Sequence, residues 1–76
     1  MFATTIAALI AALETAADDP PMGATDEVIV DHAISLLAGE ELAGHHVNDH
    51  SLGWLQSDAG HALGLALLDG LAWHTL

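Results

Sequence analysis

The stretch Phe2-Ala3-Thr4-Thr5-Ile6-Ala7-Ala8-Leu9-Ile10-Ala11-Ala12-Leu13-Glu14 sets its large apolar residues at positions 2, 6, 9, 10 and 13. That is the i, i+4, i+7, i+8, i+11 series of one face of an α-helix, and it predicts a first helix over about residues 2–17. Almost everything else in the stretch is alanine, with Thr4, Thr5, Glu14 and Thr15 the polar residues before Asp18. An outer face so poor in polar groups suits a covering surface better than water. The helix is therefore expected to take part in self-association. Asp18-Asp19-Pro20-Pro21-Met22-Gly23 ends it, because two prolines remove amide donors and push the residue before each toward extended backbone. Residues 18–24 read as a linker.

Downstream, Thr25 followed by Asp26 and Glu27 is a helix start: a capping hydroxyl, then carboxylates where the helix dipole favours them. Val28, Ile29, Val30, Ala33, Ile34, Leu36 and Leu37 supply a broad apolar face, with Glu27, Asp31 and Ser35 on the opposite stripe. A second helix over about 26–38 follows, ending or kinking between 38 and 44, with Gly39 either its C-terminal cap or an interior residue of a longer helix reaching Leu42 and Ala43. The segment Gly44-His45-His46-Val47-Asn48-Asp49-His50 reads as a polar, histidine-rich connector over 44–51, with Ser51 or Asp49 able to cap the next element. From Leu52 onward, Leu55, Ala59, Ala62, Leu63, Ala66, Leu67 and Leu71 keep helical spacing to about residue 74, as one long helix or as two short ones separated by a re-capping site at Ser57-Asp58. Gly60 and Gly64, four apart on one face, mark a place where another backbone comes close. The fold class is all-α: one domain, a small helical hairpin or three- to four-helix unit that completes its core by homo-oligomerisation.

Composition bounds the function. The 76 residues include no lysine, no arginine and no cysteine, against eleven Asp and Glu, for a formal charge of -11. Nucleic-acid binding depends on Lys and Arg displacing counterions from phosphates, so direct DNA or RNA binding is excluded. An anionic membrane leaflet repels such a chain, and its apolar first thirteen residues are too short for a span and lack the basic flank of a signal peptide. The reading is a cytoplasmic protein without membrane association. A hydrophobic content of 53 % argues for an ordered chain despite its charge. Without thiols, disulfides and thiolate metal sites are unavailable.

Six histidines are many for this length: His32, His45, His46, His50, His61 and His74. If residues 45–50 were helical, His45 and Asp49, and likewise His46 and His50, would share a face at ligand-compatible spacing, with His61 or His32 closing the site from another helix. The set His45, His46, Asp49, His50 and His61 would suit zinc, nickel or iron, or copper, as geometry decides. The plainer reading is that histidines, the one cationic side chain available, pair with Asp31, Asp49, Glu40 or Glu41. Catalysis is not expected. Ser35, Ser51 and Ser57 stand in no nucleophile context, Glu40 and Glu41 point apart if helical, and only a metal-dependent hydrolase would survive as an enzymatic reading.

These features favour a small acidic interaction module, an accessory or inhibitor protein of the kind phages and mobile elements carry, that docks on a basic surface of a larger protein. Glu27, Asp31, Glu40, Glu41 and Asp49 are its candidate steering surface and Trp54 its candidate anchor. The alternatives are a metal-binding or metal-sensing protein built on the histidines and a self-assembling structural subunit.

Overall fold

The computed structural model describes residues 3–42 and 44–71. Four helices follow one another, α1 Ala3–Asp18, α2 Asp26–Ala38, α3 Asp49–Leu55 and α4 Asp58–Gly70; no strand occurs among the described residues. The chain is an all-α four-helix unit in which α2 touches each of the other three helices. Phe2, Trp73 and His74, and the expected continuation of the last helix to residue 74, lie outside the described residues. No described helix is long and apolar enough to cross a membrane.

The second helix forms where its sequence signals place it. The Thr25 hydroxyl accepts the Val28 amide at 3.3 Å, and Asp26 and Glu27 occupy the first turn. Ile29, Val30, Ala33, Ile34 and Leu37 are buried, while Glu27, Asp31 and Ser35 face outward. Gly39 is its C-terminal cap, as one of its two readings expects. Gly39 has φ of -85°, an ordinary value, and it is Glu40 that turns left-handed with φ of 54°. The Glu40 amide donates to the Leu37 carbonyl at 3.2 Å and the Glu41 amide to the Leu36 carbonyl at 3.0 Å, the paired bonds of a Schellman cap with a glutamate in the glycine position.

The buried face of α1 differs from the one its large residues outline. Thr5, Ala8, Leu9, Ala12, Leu13 and Ala16 are buried, whereas Ile6 is 36 % exposed and Ile10 half-buried. The helix is turned so that its alanines at 8, 12 and 16 face inward, which lets a neighbouring helix approach closely while Leu9 and Leu13 fill the core. Two isoleucines are left at the margin.

The histidine-rich connector is shorter than expected. Asn48, rather than Ser51 or Asp49, is the cap: its side-chain oxygen accepts the Ser51 amide at 2.8 Å, so α3 begins at Asp49 instead of near 52. Asparagine is among the strongest capping residues, and with Asn48 as the cap Asp49 and Ser51 fall inside the first turn of α3. Of the two readings of the last stretch, one helix or two, the structure has two, with the break near 57. Ser57 caps α4, accepting the Gly60 amide at 3.4 Å and donating to the Trp54 carbonyl at 2.5 Å, and only Gln56 and Ser57 separate α3 from α4.

Both glycines of α4 sit at close approaches. A Cβ on Gly60 would collide with the Leu55 Cα and carbonyl and the Trp54 carbonyl, so the tight α3–α4 corner admits no side chain there. A Cβ on Gly64 would lie 2.6 Å from Val30 Cγ1, which marks where α4 crosses α2. Leu55 and Leu68 complete the core together with Leu9, Leu13, Ile29 and Val30.

Candidate functional site

With no lysine or arginine in the chain, each ion pair between described side chains must involve histidine. Two such pairs form. His61 Nδ1 lies 3.3 Å from Asp31 Oδ1, joining α4 to the outward stripe of α2. His46 Nδ1 lies 3.0 Å from Glu40 Oε1, joining the connector to the left-handed cap of α2. Asp31 and Glu40 are among the partners expected for the histidines, and both pairs are largely open to solvent on the carboxylate side.

The remaining candidates are dispersed. His45 and His46 precede the start of α3, so the four-residue spacings to Asp49 and His50 do not bring those side chains onto one helical face. His45 and His32 are half-buried, and His50 and Asp49 are exposed. Among the described residues no three His, Asp or Glu side chains converge where a metal ion could be held. The set His45, His46, Asp49, His50 and His61 is thus not gathered into one place.

A cleft of about 200 Å³ runs along the seam between α2 and α4, lined by Asp31, Ile34, Ser35, Leu55, Gln56 and His61. Asp31, His61 and Ser35 border it together, but no hydrogen bond links the Ser35 hydroxyl to His61. A second, more open depression is lined by Thr25, Asp26, Glu27 and Leu65. Glu27 and Asp31 are four apart on α2, and Leu65 and His61 four apart on α4, so the nearest lining residues of the two hollows lie one helical turn from each other along each helix. Each has a carboxylate rim and an apolar wall.

Comparison with family models, curated proteins and solved structures finds no match to this chain. The functional reading therefore rests on its own residues. The six residues marked as a partner surface, Glu27, Asp31, Glu40, Glu41, Asp49 and Trp54, are all exposed, Trp54 at 38 %. Sequence reasoning did not single out Asp26, Leu65 or Gln56 as part of the seam. Their role follows from which turns of α2 and α4 meet, and no local motif encodes it.

Glu40 carries a further signal. A non-glycine residue in the left-handed region costs roughly 1–2 kcal/mol, and glycine is the usual occupant of this cap position. Glu40→Gly is expected to raise stability by about 0.5–1 kcal/mol in chemical denaturation, since the exposed contact to His46 is worth less than the backbone gain. A variant less stable than the parent would mean that the carboxylate holds the connector in place.

Proposed function

We propose that this chain is a non-enzymatic acidic module that docks on a basic surface of a larger protein and modulates it, and that it self-associates through its apolar helix faces. The observation that carries the reading is the pairing of a chain devoid of lysine and arginine with carboxylates held outward on α2 and its cap, one of them in a backbone conformation that glycine would adopt more cheaply. Like charges without counter-charges destabilise the isolated fold, whereas a basic partner turns the same field into attraction and faster encounter. The seam fits that role. A lysine or arginine stem can lie along Leu65 while its head meets Glu27 or Asp26, with Asp31 one helical turn further along α2. Trp54, on the outer side of α3, supplies an apolar contact of the kind that anchors interfaces.

The test is affinity capture of partners by the full chain from its source cells, with elution by salt compared against elution by a chelator. Docking through carboxylates predicts release as salt rises and indifference to chelator. Release by chelator in low salt would overturn it in favour of a histidine-bound metal.

A further inference from the structure

The α1 helix buries Leu9 and Leu13 together with its small residues on one face and leaves two isoleucines at the margin of the other. Thr5, Ala8, Ala12 and Ala16 are inside, while Ile6 and Ala7 are exposed and Ile10 and Ala11 half-exposed. Exposed isoleucines beside buried alanines make an apolar face that the four-helix unit does not itself cover. From Ala3 through Leu13 there is not one carboxylate, although the chain carries eleven elsewhere. A cationic partner finds nothing to pair with on the Ala3–Leu13 part of this face, and two copies bearing -11 each repel least where their carboxylates are absent.

We infer that the outer face of α1 is a self-association surface that seats a second copy of α1 in antiparallel orientation. The pairing deepens the self-association part of the function proposed above, and it is independent of the docking of a basic partner. Orientation follows from charge. The first turn of α1 has no acidic residue and presents the positive end of the helix dipole, while Glu14 and Asp18 lie at the other end. Antiparallel pairing sets the acidic end of each copy against the amide-rich end of its partner. Parallel pairing stacks Glu14 on Glu14 and Asp18 on Asp18. Ala7 and Ala11, near the middle of the exposed stripe, let the two helices come close.

Sedimentation of the full chain across micromolar to millimolar concentrations tests the surface. The wild type is expected to dimerise more strongly as salt rises, the reverse of docking to a basic partner. Ala7→Glu, an exposed change to a good helix former, is expected to weaken the dimer about a hundredfold while leaving the melt of the monomer intact. Ala66→Glu, which adds the same charge on the outer side of α4, is expected to leave the dimer unchanged. A dimer broken by Ala66→Glu and indifferent to Ala7→Glu would keep self-association but overturn α1 as its surface; a monomer at every concentration would overturn both. Single cysteines read the orientation without interference, because the chain has none of its own. Ala11→Cys is expected to form a disulfide-linked dimer. Thr4→Cys is expected to link to Asp18→Cys and not to itself, and self-linking of Thr4→Cys would overturn the antiparallel arrangement.

Discussion

Replacing Gly60 by alanine is expected to cost about 3 kcal/mol or more, or to leave the chain unfolded. The sign is the informative part. In an ordinary helix interior, glycine to alanine gains roughly 1 kcal/mol. At Gly60 the new methyl group would meet the Leu55 Cα, the Leu55 carbonyl and the Trp54 carbonyl, all backbone atoms of the preceding helix that cannot swing aside. Either α4 lifts from α3, breaking the Ser57 hydrogen bonds and withdrawing Leu68 from the core, or the corner unfolds. Gly53→Ala is the control: nothing lies within 4 Å of its Cβ position, and it should match or exceed the parent in a urea melt. Equal stability of Gly60→Ala and the parent would contradict the α3–α4 corner.

Raising salt from about 10 mM to about 0.5 M is expected to stabilise the fold by roughly 2 kcal/mol, a larger and more one-sided response than mixed-charge domains of this size give. Eleven carboxylates without a lysine or arginine repel across distances that the Debye length of about 30 Å at low salt leaves unscreened and that of a few ångströms at high salt cuts off. Local placement adds to the effect. No helix has a basic residue in its last turn, and Asp18 and Asp69 stand near the negative ends of α1 and α4, where a carboxylate is disfavoured. Guanidinium-free thermal melts at constant pH check the salt term. A midpoint that does not move with salt would mean that the carboxylates are already neutralised by something bound.

Most of the fold was legible because its signals are local. Thr25 with Asp26 and Glu27 marks the start of α2, the Pro20-Pro21 pair separates α1 from it, and Ser57-Asp58 marks the break before α4. Each is a side chain satisfying an orphaned amide, or a ring that removes one, within four residues. Two features were not local. Which face of α1 goes inward depends on how closely α2 can approach, so counting large residues pointed to Ile6 and Ile10 where packing chose Ala8, Ala12 and Ala16. Gly39 caps α2 as its sequence suggests, but the left-handed residue just beyond it is Glu40, which no local signal nominates. The candidate site was legible in its parts and not in its assembly. Asp31, Glu40, His46 and His61 were all marked as residues that pair, yet the partners are fixed by the crossing of α4 over α2 at Gly64 and by the course of the connector. The histidine grouping dissolved for the same reason: its spacing presumes a helix through 45–50, and the helix that Asn48 caps begins at Asp49, four residues too late.

The docking surface is tested most directly by comparing affinity capture by the wild type with that by a variant in which its five carboxylates are neutralised, Glu27→Gln, Asp31→Asn, Glu40→Gln, Glu41→Gln and Asp49→Asn, both folded by circular dichroism. At low salt the wild type is expected to retain a basic protein that the variant loses by tenfold or more. The same protein retained equally by both chains, at low and high salt alike, would contradict docking through these carboxylates.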